Sequence, residues 1–191
     1  MNAVPQSATN LSDEKQDLLA RLTASRDRLL AVLADVPEEL SRIRPAENAW
    51  SVLDCAEHIA IAERGMFSAL EKRQLSDAAP DTSRDALIQA FALNRQQKLP
   101  APERAHPKGK FPTLAEAVND FRCARERTIG YLQGLNENLR KSIALHPFGS
   151  FDSYQFILIM TLHPERHALQ IEEIKNSPAY QSALGRRASD S

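Results

Sequence analysis

Apolar residues along this chain recur at helical spacing in four long stretches, separated by proline-bearing and polar segments. Between Leu11 and Val36 there is neither proline nor glycine, and Leu18, Leu22, Leu29, Val32, Leu33 and Val36 fall on one helical face. Ser12 stands where a cap is needed, with Asp13 and Glu14 in a first turn where the helix dipole favours negative charge. Pro37 closes the run, and Pro45 keeps 37–49 from being helical. Ser51-Val52-Leu53-Asp54 has the form of a capping box, and Val52, Cys55, Ile59, Ala62, Met66 and Leu70 continue as an apolar stripe. Thr113-Leu114-Ala115-Glu116 opens a third long helix, with Leu114, Ala117, Val118, Phe121, Ala124, Thr128 and Leu132 inward and Gly134 at its end. The fourth begins near Asp152, with Gln155 as a reciprocal cap. Phe156, Ile159, Met160, His163, His167, Ile171 and Ile174 share its inner face.

Between the second and third long helices the pattern is weaker. A shorter helix fits 83–98, with Leu87, Ala90, Phe91 and Asn94 on one side, and 99–112 reads as a proline-rich loop of a length that is commonly functional. No segment alternates apolar and polar residues over a strand's length. The expectation is an all-α four-helix bundle with an extra short helix and a Pro-rich loop between helices 2 and 3, since each apolar stripe needs the others to bury it. It would be one domain over 11–176, preceded by a disordered 1–10 and followed by a polar, frayed tail at 177–191.

Composition narrows the function classes. The chain has 191 residues, enough for one domain with a real core. Its 24 Lys+Arg against 25 Asp+Glu argue against nucleic acid or an anionic membrane surface as partner. No apolar run approaches the ~20 residues of a membrane span. The first ten residues lack the basic-then-apolar pattern of a signal peptide, so the cytoplasm is the expected compartment. The two cysteines, Cys55 and Cys123, both fall in apolar helical patterns and read as reduced core thiols.

The five histidines are the chemistry left to place. His163 and His167 are four apart and share the inner face of the last helix, where an unpartnered imidazole would cost about 1–3 kcal/mol. Either a divalent transition metal or buried hydrogen-bonding groups would satisfy them. His58 borders the inner stripe of the second helix, so three histidines on two helices can occupy three corners of a coordination sphere and leave the rest open. Such a metal would carry the reactive water or thiolate; no side-chain catalytic base is evident. His-Glu-x-x-His is absent, and the one Glu-x-x-His, Glu103 to His106, lies in the proline-rich loop, where His106 reads as solvated. Pro164 predicts a kink near Met160 in a helix that remains continuous. Cys55, three before His58, reads as core packing rather than a ligand or redox thiol.

Trp50-Ser51 followed by His58, the turn His146-Pro147-Phe148-Gly149, and His163 with Arg166-His167 and Gln170-Ile171 together resemble the DinB-like (damage-inducible) metalloprotein superfamily over about residues 12–176. The resemblance implies a bundle of up-down-down-up topology, often a homodimer. It implies one divalent ion on His58, His163 and His167, with zinc or nickel ahead of iron or manganese. It also implies a metal-dependent enzyme, a thiol-dependent S-transferase or a hydrolase, whose partners are a small-molecule substrate and, in some relatives, a low-molecular-weight thiol. A non-catalytic, stress-linked metal-binding bundle is the alternative. Gln170, seven after His163, is placed to orient an imidazole N–H. Trp50 suits packing of the second helix's entry ahead of substrate stacking, and His146 suits turn structure ahead of the pocket rim.

Overall fold

The computed structural model describes residues 6–189. Six α-helices run in the order α1 (Gln6–Leu33), α2 (Val52–Glu71), α3 (Ser83–Leu93), α4 (Leu114–Gly134), α5 (Ser153–Lys175) and α6 (Pro178–Ser189). Two apolar clusters fix how the four long helices run. Leu33, Val52, Leu114 and Ile174 meet in one cluster, which joins the end of α1, the start of α2, the start of α4 and the end of α5. Leu18, Leu70, Leu132 and Phe156 meet in the other and join the opposite ends. The bundle is therefore up-down-down-up, with α1 beside α5 and α2 beside α4. No helix among the described residues is long and apolar enough to cross a membrane.

The caps explain where the helices start. Ser51 Oγ accepts the Asp54 N–H at 3.1 Å while the Ser51 N–H donates to Asp54 Oδ2 at 2.8 Å, a complete capping box. Thr113 Oγ1 accepts the Glu116 N–H. In addition, the Glu38 carboxylate accepts the Leu114 N–H, so the 37–49 connection helps to fix the start of α4. Asp152 caps α5 by accepting the Gln155 N–H at 2.8 Å. Gln155 does not reciprocate as expected. Its amide reaches out to Asp81 O and Asp85 Oδ1 and ties α5 to the start of α3.

A polar layer separates the two apolar clusters. Glu63 and Arg125 are fully buried and form a bidentate pair at 2.8 and 2.9 Å. Arg125 donates its remaining N–H groups to Leu22 O, Ser25 Oγ and Met160 O, and Thr128 Oγ1 donates to Glu63 Oε1. One guanidinium thus touches all four long helices. Its bond to Met160 O accounts for Pro164. Proline at 164 supplies no N–H to the carbonyl four residues back, and Arg125 fills that vacancy at 2.8 Å, so α5 stays continuous through the proline.

Several expectations need correction. Helix α1 begins at Gln6 rather than after Ser12, and residues 1–5 of the expected disordered segment lie outside the described residues. The expected frayed tail forms α6, anchored by buried Tyr180 and Ala183 and started by Ser177 Oγ, which accepts the Tyr180 N–H. Strands exist: β1 (Gln74–Leu75), β2 (Ser142–His146) and β3 (Gly149–Asp152) make an antiparallel sheet in the order β1-β2-β3. With only two to five residues each, they are too short to show an alternation in the sequence. Cys123 is exposed, because Phe121, Arg125 and Thr128 take the inward positions of α4. Helix α3 ends at Leu93 and turns Ile88 and Ala92 toward the core, leaving Leu87 and Phe91 outward.

Candidate metal centre

The helix register brings His58 of α2 and His163 and His167 of α5 together beside the polar layer. His163 Nε2 lies 3.0 Å from His58 Nε2 and 3.2 Å from His167 Nε2. The outer nitrogens decide the tautomers. His58 Nδ1 is 2.7 Å from Ala105 O, and a carbonyl only accepts, so Nδ1 carries the proton and Nε2 presents a lone pair inward. His167 Nδ1 is 3.0 Å from Gln170 Oε1, which imposes the same tautomer on that ring. His163 Nδ1 is buried with no hydrogen-bond partner.

Two inward lone pairs therefore face a third nitrogen that can hold at most one proton, and one N–H cannot satisfy both. A cation satisfies all three. Tetrahedral bonds of 2.0–2.1 Å would separate ligand nitrogens by about 3.3 Å, close to the two spacings that His163 makes, and all three atoms lie within 4.8 Å of one another. Burial holds His163 and His167 well below the ordinary histidine value, and the charge of neighbouring imidazoles pushes the same way. Burial also lowers His58, against the Ala105 carbonyl bond that raises it. The rings are thus neutral, the form that ligates metals. Among the described residues these three are the one His/Cys/Asp/Glu group with metal-like convergence, and the donor set fits a divalent ion.

Trp50 walls the site. Its ring stacks on His167 at 6.2 Å and 17°, and its centroid is 4.9 Å from that of His58. It also packs against the apolar cluster near the start of α2. His106 is not solvated as expected: its Nε2 lies 3.0 Å from Ala101 O and its ring meets Trp50 edge-on. His146 closes the β2–β3 hairpin opposite Gly149, whose φ of +126° suits a residue without a Cβ. Its Nδ1 accepts the Phe148 N–H and its ring also lines the cleft. Cys55 is fully buried in the apolar cluster, where desolvation pushes its thiol far up, and it is not part of the cleft wall.

The proline-rich loop is part of the centre. Buried Glu57 accepts the N–H groups of Lys108 and Lys110 at 2.6 and 3.0 Å and so holds the segment whose Ala105 carbonyl orients His58. Arg166 donates to the carbonyls of Ala92, Asn94 and Gln97 at 2.6–2.9 Å, which pins the end of α3 and the chain after it onto α5. Neither role was read from the sequence. A backbone acceptor leaves no trace in residue identity, although a carboxylate adjoining His58 was a signal available at Glu57.

The three histidines open on a cleft of ≈ 1340 Å³ between α2, α3, α5, the proline-rich loop and the hairpin. Two solved structures share the fold. One is described as TT2238, a four-helix bundle protein, at a TM-score of 0.52 and 18% identity over 83% of this chain and 98% of that one. The other is YfiT from Bacillus subtilis, described as a probable metal-dependent hydrolase with an unusual four-helix bundle topology. It matches at 0.56 and 11% over 92% and 90%. No curated protein matches. The family model of the DinB superfamily matches residues 21–171, a span that contains the polar layer and all three histidines, and the chain belongs to that superfamily.

Proposed function

We propose that the protein is a metal-dependent hydrolase of small molecules, with one divalent ion held by His58, His163 and His167. The observation that carries this reading is the inward convergence of three Nε2 atoms, two of them fixed as lone-pair donors by Ala105 O and Gln170 Oε1. An ion in that position supplies Lewis acidity, polarising and acidifying an oxygen or sulfur group brought to it. The chain's own residues hold the three rings, set the Trp50 ring against two of them in the cleft wall and leave the cleft open for substrate. A closed, non-catalytic site would bring a fourth protein donor, and none among the described residues joins the three. YfiT, described as a probable metal-dependent hydrolase, supports hydrolysis over the non-catalytic metal-binding alternative. The S-transferase reading needs an external thiol, because neither Cys55 nor Cys123 lines the cleft.

Metal analysis of protein purified without a histidine tag tests the reading. About one equivalent of zinc or nickel is expected in the wild type and loss of it in His58→Ala and His163→Ala. An ion at 100 times its Kd adds about 2.7 kcal/mol, or about 5–10 °C in Tm for a chain of this size. A stoichiometric ion that persists in both variants overturns the assignment.

A further inference from the structure

The cleft has a charge that the whole chain lacks. The formal net charge is −1, yet the cleft is lined by Arg84, Arg95, Lys98, Arg104 and Arg166 against one acid, Glu173. Glu173 is already committed to Arg95 through two bonds at 2.6 and 3.2 Å. Arg166 is spent on backbone carbonyls, which bind the guanidinium without cancelling its charge. Arg84 lies over the Phe151 ring and donates to Ser150 O. Lys98 and Arg104 are exposed on the loop that follows α3 and make no ion pair among the described residues. The excess positive charge is therefore local and unneutralised.

The same cleft exposes apolar side chains that a folded chain normally covers. Leu87 is 68% exposed, Phe148 53% and Phe91 44%, and all three line the cleft. They come from two separate elements, α3 and the β2–β3 hairpin. Greasy walls beside unpaired cations suit one kind of small molecule.

We propose that the cleft takes an amphipathic anion: an apolar chain or ring laid against Leu87, Phe91 and Phe148, with a carboxylate or phosphate head held by Lys98 and Arg104. The proposal rests on the reading of this cleft as the substrate site and names the substrate class for it. The cations select an anionic head, and the apolar walls set affinity by chain length, at about a fourfold gain per buried CH₂.

Trp50 is the chain's sole tryptophan and lines the cleft, so its fluorescence reports occupancy, with calorimetry as the second readout. The probes are octanoate and octyl phosphate, against 1-octanol and octyltrimethylammonium, on the full chain both chelator-treated and zinc-loaded. The expected result is at least tenfold tighter binding of the two anions than of the alcohol or the cation, in both forms of the protein. Lys98→Glu/Arg104→Glu, at two exposed positions, is expected to erase that preference while leaving 1-octanol binding unchanged. Equal binding of 1-octanol overturns the proposal, as does an anion preference seen only with zinc, an unchanged preference in the double variant, or no binding of any probe. Metal content is read separately. If no ion binds but the chelated protein still prefers the anions, the substrate class stands and the metal reading falls.

Discussion

His146 shows how position changes the behaviour of a single residue. Burial between the hairpin and the bundle lowers its pKa from 6.5 to about 4, and the charge of Arg104 adds to the effect. The folded protein thus keeps this ring neutral, while the unfolded chain takes up the proton first as pH falls. Its contribution to stability is fully present above pH 6.5 and is lost as pH drops toward about 4. Wild type should lose stability over that window relative to His146→Asn, measured as urea midpoints across pH. His58, His163 and His167 are present in both proteins, so their own titration drops out of the difference apart from the small effect of His146 on His163. A parallel pH dependence of the two proteins would refute the assignment. The histidines were legible as candidates from spacing alone. The tautomers were not, because they depend on Ala105 O and on the Gln170 rotamer.

Among the elements, the proline-rich loop was recognised as long and irregular, but its attachment was invisible. Glu57 makes that attachment with two backbone N–H groups. Replacing it with Ala removes the partner of two N–H groups, at about 1–3 kcal/mol for each one left buried and unsatisfied. Hydrogen exchange at the Lys108 and Lys110 amides should accelerate in Glu57→Ala, and the metal affinity of the centre should weaken with the loss of the Ala105 anchor. Unchanged exchange would show that the loop is held by other contacts. Helix α5 gives the complementary case. Pro164 predicted a kink near Met160, and the carbonyl it strands is the one that Arg125 binds. The sequence located the defect, and only the packed bundle showed what repairs it.

For the molecule as a whole, the Glu63–Arg125 layer is the most consequential feature that sequence reading passed over. The signal existed. Glu63 falls between Ile59 and Met66 on α2, and Arg125 between Phe121 and Thr128 on α4, so opposite charges interrupt two inward stripes. Removing one member leaves an uncompensated buried charge. Arg125→Met is therefore expected to cost about 3–5 kcal/mol, whereas Glu63→Met/Arg125→Met should recover most of that loss. Chemical denaturation of the two variants is the check, and a double variant as unstable as the single would contradict it. The near-zero net charge also takes on a different meaning at this scale. It argued against nucleic acid and anionic membrane surfaces as partners, yet the cleft carries arginine and lysine charges of its own.

The order of four amphipathic helices, their caps at Ser51, Thr113 and Asp152, and three histidines at inward positions follow from periodicity and local hydrogen bonding, which act over a few residues and are written in the chain. The small sheet, the docking of α6 through Tyr180, the outward turn of Leu87 and Phe91 and the exposure of Cys123 depended on which surfaces met. Those contacts join residues distant in sequence, so no local pattern encodes them. The convergence of three nitrogens belongs to the same class. Spacing placed His163 and His167 on one face, but only the crossing of α2 and α5 brought His58 within 3.0 Å.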